Sequence, residues 1–184
     1  MNRREELAEQ ATDYVLEEGL IGLSLRPLAA ALGTSDRMLN YHFGSKDELV
    51  ASVLGVSSER SAEQIRALKP AATVREGVVD LWAALTGAEQ QRCQRMYVEA
   101  AALGLFGHEP YATAVRDANA VWLGAIRDFL VASGAPDGRS KRMVALLDSA
   151  FMGFQLDLTL DESDPDLIHA VQDLADAVEF LATR

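Results

Sequence analysis

The chain has 184 residues, 49% of them hydrophobic, and a formal charge of −11. That is enough apolar material to exclude wholesale disorder, and enough chain for one ordinary domain or two small ones. The acidity argues against indiscriminate coating of polyanions but leaves specific DNA contact open, because local charge on one face governs phosphate contact. Residues 1–50 hold five Arg and Lys against nine Asp and Glu, a net of −4; the remainder carries −7, so no basic segment stands out. The single Cys93 excludes an intramolecular disulfide and fits a reducing cytoplasm. The first residues form no signal peptide, and no run approaches the roughly 18 apolar residues of a membrane span. A soluble cytoplasmic protein is expected.

Apolar residues recur every 3.6 positions, and period-2 alternation is confined to 156–160, so the expected fold is all-α. A first helix is expected over about 3–18, with Leu7, Ala11, Tyr14 and Val15 on one face and Gly19 as its stop. Ser24 is placed to cap a second helix that carries Pro27 in its first turn and Leu28, Ala29 and Leu32 on its apolar side. Gly33 turns the chain. Ser35 or Thr34 then caps a very short third helix ending near Phe43-Gly44. Ser45-Lys-Asp-Glu48 reads as a capping box for a fourth helix reaching about residue 68, ahead of Pro70. Its length suits either a core helix or a connector between a small head and a larger body. Further helices are expected at about 73–86, 89–106, 110–133, 138–160 and 165–182, separated by Gly- and Pro-bearing breaks. Asp164 before Pro165 marks the last helix start.

The third helix carries the sharpest signal. A helix that short is unstable alone, since isolated helices need about 12–15 residues to be even marginal, so neighbours must brace it. Its polar side chains are Arg37, Asn40, Tyr41 and His42. A braced short helix with a hydrogen-bonding face is what reading the major groove requires. The stretch Leu25-Arg-Pro-Leu-Ala-Ala-Ala-Leu-Gly-Thr-Ser35, followed by Leu39-Asn-Tyr-His-Phe-Gly-Ser-Lys-Asp-Glu-Leu49, resembles the N-terminal domain of TetR-family transcriptional regulators. The resemblance covers about residues 3–50.

That resemblance implies a helix-turn-helix domain over 1–50 and an effector-binding and dimerisation domain over 51–184. It implies a homodimer whose third helices enter the major groove of a near-palindromic operator, and a small-molecule inducer. Carried onto this sequence, it places Thr34, Ser35, Arg37 and Met38 toward bases and nearby phosphates. It places Tyr41 and His42 at backbone or base positions, Lys46 on a phosphate, and Arg26 within reach of the backbone. Two residues depart from the pattern. Asn40 stands where the family very often has a phosphate-touching tyrosine; asparagine can read adenine N6 and N7. Asp36 would repel phosphate unless it accepts from a cytosine or points away. Leu39 and Phe43 are expected in the core, and Tyr41 is either packed or free to meet DNA.

In the body, Leu167, Val171, Leu174, Val178 and Leu181 are spaced 4, 3, 4, 3, an apolar seam suited to a partner helix. Ala145, Ser149 and Gly153 form a small-residue stripe that permits close helix approach. Together they are expected at a four-helix dimer interface; packing within the chain is the alternative. Aromatic and methionine residues recur, and carboxylates interrupt apolar runs, at Glu99 within 96–103 and Asp148 within 143–152. Buried carboxylates are costly unless paired. They face solvent, pair with an arginine such as Arg95 or Arg127, or line a cavity. The expected site for an apolar or cationic effector comprises Trp82, Met96, Tyr97, Glu99, Leu103 and Phe106, with Trp122, Asp148, Phe151, Met152 and Gln155.

An enzyme is not expected. His42, His108 and His169 are far apart in sequence, and no metal-ligand, paired-cysteine or phosphate-loop motif occurs. The acidic stretch 157–166 lacks EF-hand spacing and reads as a solvated loop with a helix cap. No cofactor or metal is expected. The resemblance implies a DNA-binding regulator that acts as a repressor, and its rival is a helical protein-interaction adaptor.

Overall fold

The computed structural model describes residues 2–160 and 165–184. Among these there are nine helices and no strand: α1 (Arg3–Glu18), α2 (Leu25–Ala31), α3 (Asp36–Phe43), α4 (Lys46–Arg66), α5 (Val74–Leu85), α6 (Ala88–Leu105), α7 (Tyr111–Ala132), α8 (Asp137–Leu160) and α9 (Pro165–Thr183). The all-α expectation holds. Segment 156–160, whose apolar residues alternate, completes α8. The expected Asp164 cap lies outside the described residues.

Local capping explains several helix starts. Asn2 Oδ1 accepts from Glu5 N–H while the Glu5 carboxylate accepts from Asn2 N–H, a complete capping box. Ser35 Oγ accepts from Met38 N–H at 3.2 Å, and Ser45 Oγ from Glu48 N–H at 3.1 Å. Ser24 departs from expectation: it sits at the N-cap of α2 in extended geometry but makes no side-chain cap hydrogen bond.

The chain forms two compact units, Met1–Ser61 with Arg92–Val121, and Ala62–Gln91 with Trp122–Arg184. They do not divide the chain at residue 50, because α6 and the first half of α7 join the N-terminal helices. In the first unit Leu7, Ala11 and Val15 of α1 meet Leu28 of α2, Leu39 and Phe43 of α3, Val50 and Val53 of α4, and Met96 and Ala100 of α6. Arg60 of α4 holds α1 through Glu9 at 2.5 Å and Asp13 at 2.6 Å. Partial burial opposes the Arg60 charge, but the two carboxylates outweigh it and raise its pKa.

In the second unit α9 packs against α5 and α8. Arg75 at the start of α5 donates its N–H to Glu179 at 2.7 Å and its Nε to Asp176 at 2.5 Å. This packing corrects the expected dimer seam. Leu167, Val171, Leu174 and Val178 are all buried within one chain, with Val178 fully inaccessible, and Leu181 is half-buried. The 4-3 spacing does mark a buried face, but α5 and α8 supply the cover. The α8 stripe behaves differently: Ala145, Ser149 and Gly153 are exposed, as are Leu146 and Leu156. No helix among the described residues is long and apolar enough to cross a membrane.

Candidate nucleic-acid interface and effector residues

The turn between α2 and α3 is closed by backbone hydrogen bonds, Leu32 N–H to Leu28 O at 3.0 Å and Thr34 N–H to Ala29 O at 2.9 Å. α3 then buries one side only. Leu39 is inaccessible and Phe43 nearly so, as their apolar character demands. Everything else on the helix turns outward. Arg37, Asn40 and Ser35 are exposed, Met38 is 42% exposed, and Thr34 and His42 are half-buried. Tyr41 is 79% exposed and touches His42 edge-on, with ring centroids 5.2 Å apart. The packed alternative for Tyr41 therefore falls. Asp36 Oδ1 accepts from Arg37 N–H at 2.9 Å, which turns its charge back onto the first turn of α3. Arg26 is exposed on α2, and Lys46, half-buried, is the first residue of α4. The Arg4 guanidinium lies 5.4 Å from the Phe43 ring centre, so α1 braces the end of the short helix.

The expected effector residues separate between the two units. In the second unit Trp82 meets Phe151 at 5.4 Å and Phe154 edge-on at 5.9 Å between ring centres. Phe154 was not among the expected site residues, although its i+3 spacing from Phe151 places both on one side of α8. Trp122 Nε1 donates to Asp148 Oδ1 at 3.2 Å. Burial raises the Asp148 pKa, and the Trp122 hydrogen bond only partly opposes the shift. Gln155 Nε2 donates to Leu85 O at 3.5 Å, and Met152, three residues earlier on α8, is half-buried.

In the first unit the expected residues have other occupations. Met96 is 2% exposed inside the core shared with α1, α3 and α4. Phe106 is 82% exposed. Tyr97 and Leu103 are half-buried. Glu99 Oε2 accepts from the N–H groups of Leu20 at 2.6 Å and Ile21 at 2.7 Å. The arginines proposed as carboxylate partners go elsewhere: Arg95 Nη2 donates to Leu16 O at 2.9 Å, and Arg127 binds Asp137 and Ser140.

A short helix that follows a tight turn from α2, anchored on one side by Leu39 and Phe43 and polar on its outward face, has the form of a helix-turn-helix. Residues 7–53 match the model described as bacterial regulatory proteins, tetR family. The HTH-type transcriptional regulator BetI of Rhizobium meliloti (strain 1021) is 29% identical over 77 residues, which are 41% of this chain and 38% of BetI. The match therefore spans well under half of that relative. Two solved structures share the fold along nearly the whole chain. A transcriptional regulator from Rhodococcus sp. Rha1 superposes with a TM-score of 0.74 at 21% identity, covering 96% of each chain. The multidrug binding protein EbrR, complexed with proflavin, gives 0.70 at 24% identity, covering 96% of this chain and 99% of that one. The family likeness therefore lies in residues 7–53, while the likeness along the rest of the chain is one of fold.

Proposed function

We propose that this chain is a homodimeric, DNA-binding transcriptional regulator, and that it represses by occupying a near-palindromic operator until a small apolar or cationic molecule releases it. One observation carries the DNA reading. Tyr41, Arg37 and Asn40 stand exposed on a helix whose remaining anchors, Leu39 and Phe43, are fully used by the core. An adaptor would leave that face without a role. Arg37 suits a guanine edge, Asn40 an adenine edge, and Lys46 and Arg26 the phosphates.

The effector reading rests on the second unit. The Trp82–Phe151–Phe154 cluster offers aromatic faces, and Trp122 holds Asp148 among apolar neighbours. Flat aromatic cations suit such surroundings, through stacking and cation–π attraction. EbrR, which has the same fold, is complexed with proflavin and with ethidium. Self-association is assigned to the exposed α8 stripe of Ala145, Ser149 and Gly153, flanked by Leu156, because α9 has already spent its apolar seam.

Selection of duplexes from a fragment library of the source genome tests the function. The expected product is a site with two related half-sites separated by one helical turn or a multiple of it. A folded protein that retains no duplex above background favours the adaptor instead.

A further inference from the structure

The C-terminal end of α1 is poorly equipped to finish itself. A helix leaves its last four carbonyls without intrahelical partners, and its C-terminus favours positive charge. α1 ends in Glu17-Glu18 and has no basic residue in its last turn. Gly19 N–H returns to Val15 O at 2.9 Å, which leaves the carbonyls of residues 16–18 and the N–H groups of 20 and 21 to find other partners. For residues 16, 17, 20 and 21 the partners come from α6. Arg95 Nη2 donates to Leu16 O at 2.9 Å and to Glu17 O at 3.5 Å. Arg92 Nη1 lies 2.9 Å from Glu17 Oε1. Glu99 takes both the Leu20 and Ile21 N–H groups on one oxygen. Residues 92, 95 and 99 stand three and four apart, so they share one face of α6. Gly19 fits this arrangement twice over. Its φ of +90° suits glycine, and a Cβ there would sit 3.3 Å from Glu99 Oε1.

We propose that Arg95 and Glu99 are positioning residues for DNA binding: α6 supplies the C-terminal cap of α1 and thereby fixes the turn that delivers α2 and α3. Leu20 and Leu23, on either side of that turn, are buried in the core that also holds Leu28 and Leu39. Loosening the turn therefore loosens the support of the reading helix without touching any residue on its polar face. This rests on the DNA-binding reading above, but it also makes a claim about the free protein.

The test uses the full chain with Glu99→Gln, Glu99→Ala and Arg95→Ala. Amide exchange at Leu20 and Ile21 and affinity for a selected duplex are measured, the latter across a salt series. Glu99→Ala should speed exchange at those two amides about tenfold, the loss of roughly one net hydrogen bond. Duplex affinity should fall by a similar factor, with an unchanged salt slope because no phosphate contact is lost. Glu99→Gln should stay near wild type, since its carbonyl oxygen can accept from both donors. Arg95→Ala should weaken duplex binding in the same salt-independent way, and it decides the matter if Glu99→Ala fails to fold. Wild-type exchange and affinity in both alanine variants would overturn the proposal, as would a Glu99→Gln variant as impaired as Glu99→Ala. If the wild-type chain selects no duplex, the DNA reading falls, while the exchange measurement still decides whether α6 caps α1.

Discussion

Asp148 shows how one side chain can set a pH dependence. Burial lifts its folded-state pKa above the ordinary 3.8. Between the unfolded and folded values the native chain binds more proton than the unfolded chain, so the protonated form's contribution to stability is full below the unfolded pKa and is lost as pH rises through the folded one. Asp148→Asn, which keeps an acceptor for Trp122, should be more stable than wild type at neutral pH. The gap should close as the pH falls to the ordinary carboxylate value; urea titrations at both ends check it. On the polar face of α3, Arg37→Ala should remove about 1–3 kcal/mol of preference at one base position. Lys46→Ala should weaken all duplexes alike and reduce the salt slope by about 0.9. Binding assays on the selected site and its point variants separate the two. Core anchors on α3 were legible in the sequence, because Leu39 and Phe43 are apolar at a four-residue spacing on a mostly polar helix. The role of Glu99 was not. Its partners are backbone N–H groups 78 and 79 positions away, which no side-chain pattern records.

At the level of elements, α9 and α8 invite opposite outcomes. Leu174→Glu with Val178→Glu would place carboxylates in the α5–α8–α9 interior, costing roughly 3 kcal/mol or more and lowering the melting temperature. Gly153→Arg, on exposed α8 surface, should leave melting nearly unchanged and shift the protein to monomers in a sizing experiment. A dimer that survives Gly153→Arg would move the self-association face elsewhere. The corner between α6 and α7 is just as specific. A Cβ at Gly104 would lie 3.0 Å from Ala112 N and 3.1 Å from its Cα, both backbone atoms, so Gly104→Ala should destabilise by about 1–3 kcal/mol in denaturant titration. Helix positions were readable to within a few residues, because Ser35, Ser45, Gly19, Pro70 and Gly134 act locally. The α9 seam was misassigned for a physical reason. Periodicity reports that a face is buried and is silent about which element buries it.

For the whole molecule, the proposed repression implies a linkage. If a flat cation such as ethidium releases operator DNA, then operator DNA must weaken ethidium binding by the same factor. Calorimetric titrations with and without the duplex measure this, and equal affinities would remove that compound as an inducer. The helix-turn-helix resemblance was legible from residues 25–49 alone. The pairing of residues 92–121 with the N-terminal helices was not, because it depends on contacts such as Ser58 Oγ to Ala118 O and Arg95 to Leu16 O, each spanning 60 or more positions. That pairing has an optical consequence. The two tryptophans, Trp82 and Trp122, both lie in the second unit, whereas the four tyrosines, Tyr14, Tyr41, Tyr97 and Tyr111, all lie in the first. Indole emission therefore reports on one unit and phenol emission on the other. Recorded during a single unfolding run, the two colours reveal whether the halves of this chain melt together or in turn, without any label being attached.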